Sequence, residues 1–340
     1  MLIIILKERR DPKDFAATLD FVVEEFRYDF SECEFYFIWQ FLENLNSLQQ
    51  AFATEKPWMT PLLDDFRHKI SSPDVLGILQ QAWPQVNIMD ADHWEAFRKT
   101  LLLLPSEVIL TLGPILPIED YPRIEQMLME IMGIHADRSL KYVRQLLDQA
   151  EAPLVRRLIQ ILLSIREQDP TELLLELTQN PLDSVRKDAI NALVARDPQN
   201  LRKLFPLIED PQLSIRNYIC ELIGKRRGPL AEELLLDYLE NHRFKLRDQK
   251  HILACYWALG RCASIHSLPF LQKSLLRKNL KTLLGFGTSL HRRGAALALL
   301  MMNKEAARTT LKTASRSIFR GIRLAYKRAV EESVTIKMRG

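Results

Sequence analysis

The amino-acid sequence predicts an all-α protein, a right-handed α-α superhelix (solenoid) of stacked antiparallel helical pairs. Three observations carry that prediction. Apolar residues recur at three- and four-residue spacings almost from end to end. Glycine is scarce, 11 in 340 residues against an average of roughly 7 %, which disfavours a sheet protein with many hairpins needing positive φ. A two-helix period of about 30 residues also repeats through the middle of the chain.

The first apolar run, Leu2–Leu6, is followed at once by Lys7, Glu8, Arg9 and Arg10. A signal peptide carries its basic residues first and has a longer apolar core. So abrupt an apolar opening is expected of the C-terminal part of a longer ancestral architecture. Residues 1–120 show helical periodicity without a clean repeat and are expected to form divergent helical pairs, or a cap that shields the end of the array. Phe15–Tyr28 and Glu34–Leu48 read as amphipathic helices rich in aromatics: Phe15, Phe21, Phe26, Tyr28, Phe30, Phe35, Tyr36, Phe37, Trp39 and Phe41. Their expected role is to fill irregular helix packing; an aromatic binding groove is the alternative. The breaks fall at prolines, as at Lys56-Pro57, Ser72-Pro73, Leu104-Pro105, Gly113-Pro114 and Tyr121-Pro122. Proline suits the first helical position because no donor is needed there, and an acidic or hydroxyl side chain before it caps free amides. Arg123–Met132 and Leu140–Leu147 are the next amphipathic helices.

Residues 121–335 are expected to form the repeats. Asn180–Arg186 (NPLDSVR) aligns with Asp210–Arg216 (DPQLSIR) at an offset of 30. Leu154-Val155-Arg156 lies one period earlier, and Lys245-Leu246-Arg247 one period later. A second series, Asp169-Pro170, Asp197-Pro198 and Gly228-Pro229, alternates with the first. Each period therefore reads as two proline-started helices. One helical pair cannot bury its apolar face alone, so neighbours must stack. Val185, Ile190, Leu193, Ile215, Ile219 and Leu222 are expected at the junctions. An insertion at about 278–290 interrupts the spacing.

These residues carry a family resemblance. Asp183-Ser184-Val185-Arg186 followed by Ala189, Ala192 and Leu193 resembles the second helix of a HEAT repeat, and Ser214-Ile215-Arg216 with Leu222 and Gly224 is similar. Ala254–Gly260 followed by Ser267–Leu271 resembles the HEAT junction, where a helix ends on glycine and the next begins near Leu-Pro. The resemblance to HEAT-like (PBS-lyase-type) proteins is strongest over 150–265 and continues more weakly to 332. It implies a solenoid of roughly eight to ten helical pairs, and on its own it implies no function. The row of aspartates common in such repeats is represented only by Asp183. Bilin lyases and alkylated-base DNA glycosylases are HEAT-like enzymes, but no residue set here matches either, so none is carried over.

Chemistry-bearing motifs are few. Gly285-Phe286-Gly287 lacks the third glycine and the Lys-Ser/Thr of a phosphate loop. His251, Cys255, Cys262 and His266 form H-x3-C-x6-C-x3-H, with His251 and Cys255 on one helical face, and zinc accepts such ligands. Gly260 is expected to end that helix before Cys262, however, and Cys255 lies in an apolar run where cysteine acts as a small hydrophobe. No metal and no cofactor are expected. His68, His93, His135, His242 and His291 are scattered without a carboxylate or cysteine at diagnostic spacing. The carboxylate pairs Glu24-Glu25, Asp64-Asp65 and Glu232-Glu233 read as solvated helix faces. No catalytic residue is assigned, and the chain is not expected to be an enzyme.

Charge is the informative anomaly. From residue 273 onward there are 16 Lys and Arg against Glu305, Glu331 and Glu332, a net of +13; the first 272 residues carry 31 basic and 40 acidic groups, a net of −9. Arg292, Arg293, Lys304, Arg308, Lys312, Arg316, Arg320, Arg323 and Lys327 form the candidate anion- or partner-binding set. Ser315 is expected to start a new helix and so split the row spaced by four. It reads as a binding ridge, with docking onto the acidic body or a solubilising face as alternatives. The expected function is a non-catalytic interaction scaffold that binds a protein partner, an acidic one through the basic C-terminal repeats. Nucleic-acid binding through residues 273–340 is the alternative, weakened by few stacking aromatics: Phe286, Phe319 and Tyr326. No stretch approaches the roughly 18 apolar residues of a membrane span. Four cysteines without a CxxC pair point to a reducing compartment, so a cytoplasmic location is expected.

Overall fold

A computed structural model of the chain describes residues 2–116, 119–226, 228–244, 248–277, 290–302 and 304–337. Among these residues the structure is helical, with no strand. The helices run α1 (Leu2–Glu8), α2 (Pro12–Glu32), α3 (Phe35–Phe52), α4 (Met59–Ile70), α5 (Pro73–Leu76), α6 (Leu79–Asn87), α7 (Ala91–Leu103), α8 (Ile109–Leu112), α9 (Pro122–Arg138) and α10 (Leu140–Leu147). They continue with α11 (Ala152–Ser164), α12 (Thr171–Leu177), α13 (Asp183–Arg196), α14 (Leu201–Leu204), α15 (Leu213–Arg226), α16 (Pro229–Asn241), α17 (Gln249–Cys262), α18 (Leu268–Leu276), α19 (Leu290–Met302), α20 (Glu305–Ser315) and α21 (Arg320–Lys337). No helix among the described residues is long and apolar enough to cross a membrane. The chain forms two compact units, Met1–Ala192 and Leu193–Gly340. The boundary expected near residue 120 falls inside the first. Lys245–Arg247 and most of the 278–290 insertion, with Gly285–Gly287, lie outside the described residues.

The X-Pro breaks set the helix starts through one device. Asp11, Asp169, Asn180, Asp197 and Asp210 each accept, through Oδ1, the backbone N–H two residues on, across the proline, at 2.8–3.0 Å. Such turns satisfy a donor that the first helical turn leaves orphaned. Asn180 and Asp210 do this 30 residues apart, ahead of α13 and α15, so the sequence repeat is also a repeat of turn geometry.

In the first unit the aromatic set divides. Phe15, Phe26, Phe30, Phe35 and Phe41 are buried. Phe26 meets Phe41 edge-on at 5.3 Å and Phe66 at 5.9 Å, while Phe35 stacks on Phe97 at 4.3 Å. These rings close the α2–α4 and α3–α7 packing. Phe21, Tyr28, Tyr36 and Phe37 are exposed, and half-buried Trp39 lies under the Lys99 ammonium, 4.3 Å away.

Between residues 83 and 242, polar links between elements cluster at one separation. In the first unit Arg98–Glu130, Arg144–Glu176 and Arg156–Asp188 pair at 2.7–3.0 Å, Arg157 pairs with Glu125, and Trp83 Nε1 donates to the Ile115 carbonyl. Each link spans 32 residues. Asp137 Oδ1 accepts the amides of Arg166, Glu167 and Gln168 at 2.7–3.2 Å. In the second unit Arg202–Glu233, His242–Glu209 and Arg226 to the Val194 carbonyl span 31–33 residues.

Glu232 corrects a sequence expectation: it is buried rather than solvated. Its carboxylate accepts the N–H and hydroxyl of both Ser264 and Ser267. Burial opposes its charge, but those donors prevail and its pKa lies below the ordinary carboxylate value. A residue on α16 thereby caps the start of α18. Glu233 is exposed, as expected.

The apolar core follows the predicted register with one shift. Val185, Ile190, Leu193, Ile215 and Ile219 are fully buried, but Leu222 is only half-buried. Ile215, Ile219 and Ile223 keep a four-residue spacing on α15, which puts Leu222 on the flank. Helix α17 packs between α15 and α19. A Cβ on Gly260 would come within 2.7 Å of both the Ala298 Cα and carbonyl oxygen, and one on Gly294 would strike the Tyr256 ring. Contrary to expectation, Gly260 does not end its helix. α17 runs on through Cys262, and the missing side chain serves close helix approach instead.

Two outcomes follow. Gly260→Ala should destabilise the protein by about 1–3 kcal/mol, since backbone must give way; an unchanged urea midpoint would contradict the close approach. His135 is fully buried, with Nε2 3.0 Å from the Leu101 carbonyl and Nδ1 without a hydrogen-bond partner. Burial drives its pKa from 6.5 down to about 4. The folded chain therefore takes up this proton less readily than the unfolded one. The neutral ring's contribution is intact above pH 6.5 and is lost as pH falls towards about 4, amounting to about 3 kcal/mol at the acid end. Urea titrations across that range should show His135→Phe losing this part of the slope, and equal slopes would refute the assignment.

Candidate functional site

The structure distributes the predicted basic set over α19, α20 and α21. Arg292 is buried, its guanidinium donating to the carbonyls of Leu275 at 3.1 Å and Arg277 at 2.7 Å. Burial lowers its pKa, and those carbonyls closing α18 are what tolerate the charge. It does not belong to an exposed ridge. Arg293 is half-buried and paired with Glu332 through Nε at 2.8 Å. Arg323 is exposed, and its guanidinium closes the turn before α21 by donating to the carbonyls of Ser317 and Ile318.

The remaining members face outward. Lys304 is the half-buried N-cap of α20; Arg308, Lys312 and Arg316 are exposed along α20 and at its C-cap; Arg320 and Lys327 are exposed on α21. The row spaced by four is thus split between two helices that pack on each other, as expected, but Ser315 ends α20 instead of starting a helix, and α21 begins at Arg320. Underneath, Ala307, Leu311, Ala314, Ile322, Ala325 and Ala329 are buried, so the apolar stripes of both helices are spent on packing.

A cleft of about 520 Å³ lies in the same unit, lined by Tyr256, Phe270, Lys273, Ser274, Arg277 and His291 among others. Tyr256 stacks parallel to Phe270, and its hydroxyl lies 3.1 Å from His291 Nδ1. Burial lowers the His291 pKa, which disfavours its charged form. Lys273 and Arg277 make the cleft suited to an anion, a feature the sequence signalled only as two more cations of the tail.

The H-x3-C-x6-C-x3-H pattern is not assembled. His266 is exposed, and Cys262, whose thiol burial pushes up to about 12, bonds to the Leu259 carbonyl. His251 and Cys255 instead meet Cys220 of α15, and the three ligand atoms lie within 4.8 Å of one another, all buried. The sulfurs of Cys220 and Cys255 are 3.8 Å apart, and His251 Nε2 is 3.7 Å from Cys255 Sγ and 3.1 Å from the Tyr238 hydroxyl. Cys220 escaped the sequence reading because it is 35 residues from Cys255. The two cysteines meet because α15 and α17 pack on each other. Three of the scattered histidines also have carboxylate partners: His68 with Glu107, His93 with Asp90 and His242 with Glu209.

A scan against models of known protein families matches none along the chain, and no curated protein matches it. The roles of the cations are open to direct measurement. Arg292→Gln should destabilise the protein by about 1.5–3 kcal/mol, the worth of hydrogen bonds to a buried charge, whereas Lys312→Gln should stay within about 0.5 kcal/mol. Similar small effects at both positions would remove the structural role given to Arg292.

Proposed function

We propose that the chain is a HEAT-like solenoid of stacked helical pairs acting as a non-catalytic interaction scaffold, and that it binds an acidic protein partner through its basic C-terminal helices. The observation that carries this reading is the outward row Lys312, Arg316, Arg320 and Lys327 on two successive helices, in a stretch of net charge +13. Lys312 and Arg316 stand four residues apart at the end of α20, where like charges cost a few tenths of a kcal/mol, and Arg320 and Lys327 add two exposed charges on α21. The stacked-repeat part of the reading is supported by polar links that recur one period apart within each unit. A protein partner is favoured over nucleic acid because Phe319 and Tyr326, the described aromatics of the tail, are half-buried and poorly placed to stack on bases.

The test replaces Arg308, Lys312, Arg316 and Arg320 with Gln and measures binding to polyglutamate and to a short DNA duplex. The wild type should bind polyglutamate, and the variant should lose most of that binding through a slower association, since rim charges steer encounter. Its stability should barely change. Preferential DNA binding, with a salt slope shallower in the variant by up to about 0.9 per lost phosphate contact, would establish the nucleic-acid reading instead. A marked loss of stability would show the row docked on the protein's own acidic surface.

A further inference from the structure

We propose that Cys220, Cys255 and His251 form a zinc site, with the phenol oxygen of Tyr238 at the fourth position. Buried cysteines ordinarily serve as small hydrophobes, but here two sulfurs, an imidazole and a phenol converge from α15, α16 and α17. The side chains of all four are buried. Three of the spacings among these donor atoms match a tetrahedron's edges, and Cys220 Sγ lies within 4.8 Å of the His251 ligand nitrogen. With Zn–S of about 2.3 Å and Zn–N of about 2.0–2.1 Å, tetrahedral coordination puts two sulfurs about 3.8 Å apart and sulfur and nitrogen about 3.6 Å apart. The structure has 3.8 Å between Cys220 and Cys255 Sγ and 3.7 Å between Cys255 Sγ and His251 Nε2. The Tyr238 hydroxyl, 3.1 Å from Nε2, is near the roughly 3.3 Å that a nitrogen–oxygen edge requires with these bond lengths.

Binding displaces one proton from each thiol, so two thiolates and Zn²⁺ sum to zero charge, the condition a buried site favours. His251 would ligate through Nε2 and keep its proton on Nδ1. Two thiolates select a soft or borderline ion over magnesium or calcium, and four donors in tetrahedral array fit Zn²⁺. Because the cluster is enclosed, the metal would enter as the repeat folds and add to its stability.

The experiment uses the full chain, expressed in zinc-supplemented medium and purified under reducing conditions, with metal content read by elemental mass spectrometry. The wild type should carry about one zinc per chain, Cys262→Ser should retain it, and the double variant Cys220→Ser/Cys255→Ser should carry almost none. Co²⁺ refolded into the wild type should show thiolate-to-cobalt charge transfer with tetrahedral d–d bands, a reading that stands even if the double variant fails to fold. Wild type without zinc and without thiolate charge transfer would overturn the proposal. So would copper as the resident ion, or equal loss of zinc in Cys262→Ser.

Discussion

An amphipathic helix has more apolar surface than it can cover by itself, and within each unit the structure depends on how each helix is covered by its neighbours. That cover has two parts. Apolar residues on every third or fourth position meet between helices, and polar links about 32 residues long tie particular elements together. Dispersion and burial supply most of the free energy, but they are indifferent to register. The carboxylates at Asp137 and Glu232 are not: each receives several donors from a loop one period later in the chain. A buried anion such as Glu232 is tolerated only where such donors converge, so this residue specifies which element packs there as well as stabilising it.

The same economy explains how the basic tail divides. A cation near a helix end is drawn to unsatisfied carbonyls or to a carboxylate, and Arg292, Arg293 and Arg323 are held in these ways. Their positive charge works for the fold. The outward cations of α20 and α21 lie over helices whose apolar stripes are already packed, and their charge is presented to whatever approaches. Net charge alone would not have separated these groups; geometry does.

Much of the fold was legible because local chemistry and periodicity agreed. Leu140–Leu147 coincides with α10, and the X-Pro series marks starts because an Asp or Asn side chain reaches over the proline to an amide. What escaped was long-range. Glu232 and Glu233 look identical in sequence, yet one turns inward to cap α18 and the other outward to Arg202. Gly260 carried the signal of a helix end but served close approach to Ala298. Leu222 and Ile223 are both apolar, and only the four-residue spacing from Ile215 decides which is buried. The cysteine cluster was half visible: His251 and Cys255 share a helical face, while Cys220 is brought in by the packing of α15 on α17.

If links one period apart hold the pairs in register, removing both ends of one link should cost less than the sum of removing each. The direct measurement is a double-mutant cycle on Glu232→Ala and Ser267→Ala, read from urea unfolding of the two single variants, the double variant and the wild type. The account predicts a coupling of about 1–3 kcal/mol, as for residues sharing one buried hydrogen-bond network. Additive effects, with coupling below about 0.3 kcal/mol, would contradict it and leave burial alone to define the stack.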